Sequence, residues 1–206
     1  MTSIITGDII NSRSIDAELW LAVLKQELNN LGSAPKRWEI YRGDSFQVEV
    51  PAPDEALLQC IKIKAAIKTI KGLDVRMAIG IGKKSHDANN ISEANGSAFI
   101  RSGEGFESLK NLRQSLGIFT GKPRFDERIN LYLKLALIAM DNWTLGAAEF
   151  VKLSLQNPTA SQTEIGSMLG ISQSSVSERQ QRSYLPDILE METLFRKELK
   201  TLENLS

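Results

Sequence analysis

The stretch from Thr163 to Arg179, TEIGSMLGISQSSVSER, carries the strongest structural signal in the chain. Its first part places three apolar residues on one face of a short helix: Ile165, Met168 and Leu169. Gly170 follows, and glycine ends a helix at little cost because it readily adopts a left-handed backbone. Ser172 is positioned to cap a second helix through its hydroxyl, while Ile171 fills the angle between the helices and Val176 faces inward. The sequence therefore predicts two short helices joined by a tight turn.

The predicted outer face of the second helix is polar. It carries short side chains suited to base edges and phosphates, together with two arginines. These candidate DNA-binding residues are Ser172, Gln173, Ser174, Ser175, Ser177, Arg179, Gln180 and Arg182. The spacing is typical of a helix-turn-helix whose second helix enters the major groove, so duplex DNA is the expected partner. The alternative is a helical bundle that mediates protein contacts.

The charge of the chain argues against strong DNA binding. It has 25 basic and 25 acidic residues, so any attraction to nucleic acid must be local. Residues 156–206 contain five basic and seven acidic residues, a net charge of −2. Because DNA affinity depends largely on neutralising phosphates, we expect a weak or dimer-dependent binder. Most of these acids follow Pro186, where they can lie on a dimerising helix away from DNA.

A further helix, predicted over Leu145–Leu155, precedes this pair. Together the three predicted helices resemble the DNA-binding domain of sigma-factor region 4 and of response-regulator output domains. The resemblance covers residues 145–184 and implies binding to duplex DNA.

The first 82 residues show a β-α-β-β-α-β pattern. Apolar runs or alternation mark the strands, and helical spacing marks the helices. The predicted elements are Ser3–Ile10, Asp16–Leu31, Arg37–Tyr41, Ser45–Val50, Pro53–Lys71 and Asp74–Ile81. This order predicts a ferredoxin-like antiparallel sheet, followed by a helix over Glu93–Leu112 and an edge strand over Gly117–Thr120. The predicted fold class is therefore α+β, with a ferredoxin-like domain followed by an all-α helix-turn-helix domain.

The clearest break in the chain is Gly121-Lys122-Pro123. It predicts a ferredoxin-fold domain over residues 1–121, a linker or interface helix over 122–142, and a helix-turn-helix domain with a C-terminal helix over 143–206. Within the middle segment, Glu127–Met140 is strongly apolar. We expect that helix to be buried between the domains or in a homodimer.

Two aspartates are predicted to meet at one edge of the sheet. In the ferredoxin-like order the first and third strands are antiparallel neighbours, so Asp8, near the end of one, lies close to Asp44, at the start of the other. Paired carboxylates suit Mg²⁺, which prefers oxygen ligands and keeps waters or substrate phosphates. The residues expected to assist nucleotide binding there are Gly7, Asn11, Arg42 and Gly43. Alternatively, the two aspartates only stabilise turns and caps.

Four segments around these aspartates carry a family resemblance. ITGDIINS (residues 5–12) and YRGDSF (41–46) resemble the metal-binding segments of class III nucleotide cyclases, and the second also resembles the signature turn of diguanylate cyclases. VRMAIGIG (75–82) and GSAF (96–99) resemble the next strand and helix of that palm-like domain. The resemblance covers residues 2–115 and implies a site for Mg²⁺ and a nucleotide. With the C-terminal module, the order of segments resembles the SatD family of bacterial proteins.

Three positions depart from the cyclase pattern. Ile40 stands where a cyclase carries its base-reading lysine, and Ile100 and Glu104 stand where its helix supplies an asparagine and an arginine. A phosphoryl-transfer site without this cationic clamp loses its main electrostatic stabilisation. We therefore expect a DNA-binding regulatory protein with a degenerate cyclase-like sensor domain rather than an enzyme. The alternative is a divergent Mg²⁺-dependent nucleotidyl-transfer enzyme.

Cysteine content and hydropathy suggest a compartment. Cys60 is the only cysteine, which excludes an intramolecular disulfide and fits a reducing environment. No apolar run approaches the roughly 18 residues needed to span a bilayer. We expect a cytoplasmic protein with no membrane partner. We also expect His86 to be exposed and three tryptophans to be buried: Trp20, Trp38 and Trp143.

Overall fold

A five-stranded sheet forms the centre of the N-terminal half in the computed structural model, which describes residues 1–204. Its strands are β1 (Thr2–Ile10), β2 (Trp38–Tyr41), β3 (Ser45–Val50), β4 (Asp74–Gly82) and β5 (Leu116–Phe119). They lie in the order β2-β3-β1-β4-β5. β1 is antiparallel to both β3 and β4, and β2 is antiparallel to β3. The predicted α+β class is confirmed.

The four strands predicted in the first 82 residues are antiparallel as expected, but a fifth strand makes the sheet mixed. β5 runs parallel to β4, with Met77 opposite Leu116. The cause is helix α3 (Ser97–Leu112), which carries the chain from the end of β4 back to the start of β5. Two strands joined by such a crossover run in the same direction. The sequence indicated an edge strand at this position but contained no local signal for its direction.

Helices cover both faces of the sheet. α1 (Ala17–Asn29) and α2 (Ala56–Lys68) pack on one face, where Ile5 and Ile9 of β1 join the main hydrophobic core. Side chains alternate along a strand, so Thr6 points to the opposite face. There its Oγ1 donates a hydrogen bond to Ser102 Oγ of α3 at 3.0 Å.

Gly80 explains how α3 lies so close to the sheet. A Cβ atom at residue 80 would lie 2.2 Å from the carbonyl oxygen of Ala98 and 2.3 Å from the backbone nitrogen of Ser102. No side chain fits in that gap. The GIG sequence at the end of β4 therefore meets a packing requirement of the helix above it.

The C-terminal half is helical. Its elements are α4 (Pro123–Met140), α5 (Leu145–Gln156), α6 (Gln162–Leu169), α7 (Gln173–Ser183) and α8 (Leu185–Asn204). α5 packs against α2, and α4 packs against β5. As a result, the buried residues of both halves form one continuous cluster, which runs from Ile5 to Leu199.

A fully buried lysine joins these elements. Lys64 of α2 places its Nζ 2.7 Å from Asp74 Oδ1 and 2.7 Å from Asp141 Oδ1. It also donates a hydrogen bond to Ser115 Oγ at 3.3 Å. Asp74 begins β4, whereas Asp141 follows α4. The ammonium group of one α2 residue therefore connects the sheet to the end of α4. A buried ammonium is tolerated only when it is paired and hydrogen-bonded in this way.

Several local predictions are confirmed. His86 is exposed. The three tryptophans expected in the interior are buried: Trp20, Trp38 and Trp143. α3 is continuous through both of its glycines, Gly103 and Gly105. Within residues 1–204, no helix is both long enough and apolar enough to cross a membrane.

Replacing Lys64 with methionine keeps most of the side-chain volume but removes the charge. We expect Lys64→Met to lower the free energy of unfolding by about 3 kcal/mol, because it leaves two carboxylates without their shared cation. The measurement is urea unfolding followed by circular dichroism. Lys71→Met, at an exposed position just beyond α2, serves as the control and should change stability by less than about 0.5 kcal/mol. Equal effects of the two substitutions would show that the ion cluster is not stabilising.

Candidate nucleic-acid interface and sheet-edge site

The α6–α7 pair is held by matched caps. Ser161 and Glu164 form a capping box at the start of α6, in which Ser161 N donates to Glu164 Oε2 at 2.7 Å. Gly170 ends α6 in the left-handed conformation, with φ 66° and ψ 31°. Ser172 Oγ then accepts a hydrogen bond from Ser175 N at 3.2 Å and caps α7. The predicted roles of Gly170 and Ser172 are both confirmed.

The inner face of this pair differs from the prediction at one position. Ile165 and Val176 are buried as expected, but Met168 is 52 % exposed. The buried side of α6 is formed by Ile165 and Gly166, with Leu169 partly buried. A Cβ at Gly166 would lie 2.9 Å from the carbonyl oxygen of Ile171. The turn thus packs against Gly166, and this shifts the buried face of the helix away from Met168.

The outer face of α7 presents the predicted serines and glutamines. Ser172, Gln173 and Ser174 are exposed, whereas Ser175 and Ser177 are partly buried. Gln162 of α6 accepts a hydrogen bond from Gln173 Nε2 and donates one to Gln180 Oε1, the latter at 2.7 Å. Sequence reasoning missed Gln162. It is the residue that fixes the two α7 glutamines relative to α6.

The two predicted arginines have different surroundings. Arg179 lies 2.8 Å from Glu149 Oε2 and donates to the carbonyl oxygen of Gly146 at 3.3 Å, so it is bound to α5. Arg182 is 75 % exposed, and its nearest acid is Glu178, 3.8 Å away. Arg182 is therefore the arginine that α7 offers to solvent, and Arg179 joins α7 to α5.

At the sheet edge, the structure brings Asp8 and Asp44 close together. Asp8 lies opposite Ser45 in the β1–β3 register, and Ile9 N donates to the carbonyl oxygen of Asp44 at 3.1 Å. Asp44 Oδ2 accepts a hydrogen bond from Ser12 Oγ at 2.5 Å. The two carboxylates thus occupy the edge that the strand order predicts.

The four residues expected to assist a nucleotide fall into two groups. Arg42 and Gly43 are exposed in the β2–β3 turn, with φ values of 53° and 92°. Gly7 is buried, and a Cβ there would collide with the Phe46 ring at 2.6 Å. Asn11 adopts a left-handed conformation, and its Nδ2 donates to the carbonyl oxygen of Gly72 at 3.1 Å. Packing and loop closure already explain Gly7 and Asn11.

Sequence analysis missed the cations beside Asp8. Arg76 of β4 places Nε 3.9 Å from Asp8 Oδ1. Its guanidinium carbon lies 6.0 Å from the ring centroid of Phe106, and Lys110 Nζ lies 4.8 Å from the same centroid. The only local signal was that Arg76 is a charged residue within an apolar strand. Alternation along β4 could have placed it on the α3 face, but only once the neighbour of β4 was known.

Asp8 lies in an environment that disfavours its negative charge. Burial raises the pKa of the Asp8 carboxyl, and the nearby Asp44 charge raises it further, while Arg76 opposes this change. Asp8 Oδ1 is buried and has no hydrogen-bond partner among the described residues. Burial also raises the pKa of the adjacent Tyr41 hydroxyl, with Asp8 contributing. The negative charge of Asp8 is therefore incompletely stabilised, and either a bound cation or a proton would stabilise this carboxyl group.

The described residues hold no ready-made metal cage. Within residues 1–204, no three aspartate, glutamate, histidine or cysteine side chains are grouped so that they could hold a metal ion. Comparison with models of known protein families finds none that matches this chain. Comparison with curated proteins likewise finds no match.

The raised pKa of Asp8 predicts a pH dependence of stability. In the unfolded chain the carboxyl titrates near 3.8, so between that pH and its higher native pKa the folded state binds more protons. The contribution of Asp8 to stability is then greatest below pH 3.8 and falls as the pH rises through the native pKa. We therefore compare the free energy of unfolding of Asp8→Asn with that of wild type, measured by urea unfolding at two pH values. We expect the variant to gain stability relative to wild type when the pH is raised from 3.8 to 7. A difference that does not change with pH would contradict the shift.

Proposed function

We propose that the protein is a DNA-binding regulator in which α6 and α7 act as a helix-turn-helix and α7 contacts duplex DNA. The exposed polar face of α7 carries this proposal, because its serines and glutamines suit base edges and phosphates. The glycine turn and the Ser172 cap hold α7 at a fixed position relative to α6. A preformed surface of this kind avoids the entropy cost of ordering on binding.

In this proposal Arg182 makes the phosphate contact and Arg179 has a positioning role. Arg182 projects into solvent, whereas Arg179 is engaged by Glu149 and Gly146 of α5. One exposed arginine per α7 neutralises few phosphates. We therefore propose weak affinity and a shallow salt dependence for a single protomer.

The N-terminal half would serve as the sensor of this regulator. The β-α-β-β-α-β order and the β2-β3-β1-β4 arrangement support a ferredoxin-like domain. The resemblance of residues 2–115 to nucleotide cyclases supports the same assignment. α2 packs directly against α5, so a change in the sensor has a short physical route to the α7 surface.

Substituting Arg182 tests the DNA proposal. We expect the wild-type protein to retard duplex DNA in a gel at low salt and Arg182→Gln to weaken the retardation several-fold, because a phosphate contact is lost. The matched control is Lys25→Gln, which removes one exposed charge from α1 and should leave binding unchanged.

A second pair of substitutions tests the positioning role of Arg179. Arg179→Gln and Glu149→Gln both break the α5–α7 ion pair, so both should lower the melting temperature and weaken DNA binding to a similar degree.

DNA binding that is unaffected by Arg182→Gln would place the contact surface elsewhere. A wild-type protein that does not retard DNA at low salt would remove the proposal.

A nucleotide site is the second candidate function, and one observation favours it. Asp8 Oδ1 is buried beside Asp44 without a hydrogen-bond partner, and Arg76 is 3.9 Å away, so a cation bound between the two carboxylates would stabilise both charges. The two carboxylates fit a Mg²⁺ ion, whose role there would be to neutralise phosphate oxygens. Arg42, Arg76 and Lys110 would add positive charge around a phosphate group. The arrangement supports ligand binding in the sensor more than turnover, because Ile100 and Glu104 replace the catalytic pattern of the cyclases.

Thermal melting with Mg²⁺ and ATP or GTP tests this site. A ligand that binds only the native state raises the melting temperature by mass action, by an amount that grows with ligand concentration. We expect this rise in wild type and its loss in Asp44→Asn. Glu104→Gln removes an exposed charge from α3 and should retain the rise. An equal rise in wild type and Asp44→Asn, or no rise with either nucleotide, would exclude the site.

A further inference from the structure

Helices α4 and α8 leave an open apolar groove at the surface. The groove has a volume of about 740 Å³ and is lined by the outward side chains of α4 between Tyr132 and Ala139 and by side chains between Tyr184 and Lys197. Its most exposed apolar side chains are Leu135 and Ile138, at 59 % and 67 % exposure, followed by Tyr184 and Leu194. Apolar side chains that cluster at the surface and are rimmed by polar residues are typical of an interaction surface. Glu127–Met140 was expected to be buried between the domains or in a homodimer, and within the described residues only one side of α4 is covered.

The exposed side of α4 has the pattern of an interface helix. Ile129, Leu133 and Leu137 face the core. A second stripe, formed by Leu131, Leu135 and Ile138, is exposed. Spacings of four and three residues place this second stripe on one face of the helix. α4 therefore carries two apolar faces, of which the fold of one chain buries one.

α4 and α8 run antiparallel along the groove. Arg128, early in α4, pairs with Glu198, late in α8, at 2.7 Å. At the opposite end, Trp143 Nε1, just beyond α4, donates to the carbonyl oxygen of Ser183, just before α8, at 2.8 Å. These two contacts fix which end of α8 lies beside which end of α4.

Charge changes sign along the α8 side of the groove. Asp187 and Glu190 lie at the end near Trp143, and Lys197 lies at the end near Arg128. Asp187, Glu190, Leu194 and Lys197 follow one another at spacings of three, four and three residues. This spacing places all four side chains on one face of α8. Among the described residues none of these three charged side chains forms an ion pair within the chain, because all ion pairs of α8 involve other residues.

We infer that a second copy of this chain fills the groove, with α8 packed antiparallel against the α8 of its partner. Glu190 and Lys197 lie on either side of Thr193 and Leu194, so a two-fold axis at that level brings Glu190 of each protomer opposite Lys197 of the other. A two-fold interface needs a self-complementary surface, and the opposite charges at the two ends of the groove provide one. A parallel arrangement would instead oppose like charges.

The surface is close in size to the smallest specific dimer interfaces. Helices of this length extend about 27–30 Å, and neighbouring helices lie about 10 Å apart. Two helices therefore offer on the order of 550 Å² of flat contact, near the lower limit of about 600 Å² per partner for a specific complex. The Leu131–Leu135–Ile138 stripe would supply the apolar part of that contact, with the Glu190–Lys197 pairs on either side of the two-fold axis.

The inferred dimer deepens the proposed function but does not require it. Tyr184 alone separates α7 from α8, so pairing of α8 would also set the spacing of the two α7 helices. The oligomeric state can be measured without DNA, and DNA binding can be measured separately. A monomeric protein would therefore contradict the dimer alone, and a protein that does not bind DNA would contradict the proposed function alone.

Sedimentation equilibrium over a range of protein concentrations tests the inference. We expect wild type to reach twice the chain mass at micromolar concentrations. Leu135→Glu and Ile138→Glu should each raise the dimer dissociation constant at least tenfold while circular dichroism stays unchanged, because both side chains are exposed in the single chain. Leu19→Glu, at an equally exposed site on α1, is the matched control and should remain dimeric. A monomeric wild type, or variants that dimerise as tightly as wild type, would overturn the inference.

Charge reversal tests the antiparallel register. Glu190→Lys and Lys197→Glu should each weaken the dimer, since each places like charges opposite one another. The double variant exchanges the two charges and should recover most of the lost affinity. A double variant as weak as the single variants would show that Glu190 and Lys197 do not face each other and would overturn the proposed register.

Discussion

The ammonium group of Lys64 is the contact on which the arrangement of the whole chain depends. It lies inside the protein with no exposed surface, and its charge is balanced by an aspartate at the start of β4 and another just after α4. Because an unpaired cation in the interior is very costly, α2 can occupy its place only when β4 and the end of α4 are also in place. The sheet and the helical half are thus linked by electrostatics as well as by the apolar contacts of α2 with α5.

The same strand connects this cluster to the sheet-edge site. Asp74 binds Lys64, and Arg76, two residues further along β4, lies beside Asp8. A charge that binds at Asp8 would therefore act on Arg76, and Arg76 belongs to the strand whose beginning is anchored by the buried lysine. Together with the α2–α5 contact, this gives the proposed sensor a physical connection to the proposed DNA-binding helices.

How far the sequence predicts this structure depends on the range of each interaction. Gly170 and Ser172 were predictable because capping and left-handed turns involve residues within four positions of each other. The convergence of Asp8 and Asp44 followed from strand order alone. By contrast, the direction of β5 depends on the path of α3, and the exposure of Met168 depends on the turn packing against Gly166. The engagement of Arg179 by Glu149 and the position of Arg76 beside Asp8 join residues 30 and 68 positions apart, respectively. Nothing in either local sequence indicates its partner.

The junction at Tyr184 has a mechanical consequence. Its φ of 52° ends α7 and lets α8 begin at the next residue. The connection between the two helices is therefore one residue long. Each residue of an α-helix advances the rotation by about 100°. A one-residue insertion in α7 between Val176 and Tyr184 would therefore turn the polar face of α7 out of phase with the groove on α8. The length of α7 therefore sets the angle between the polar face of α7 and the groove on α8.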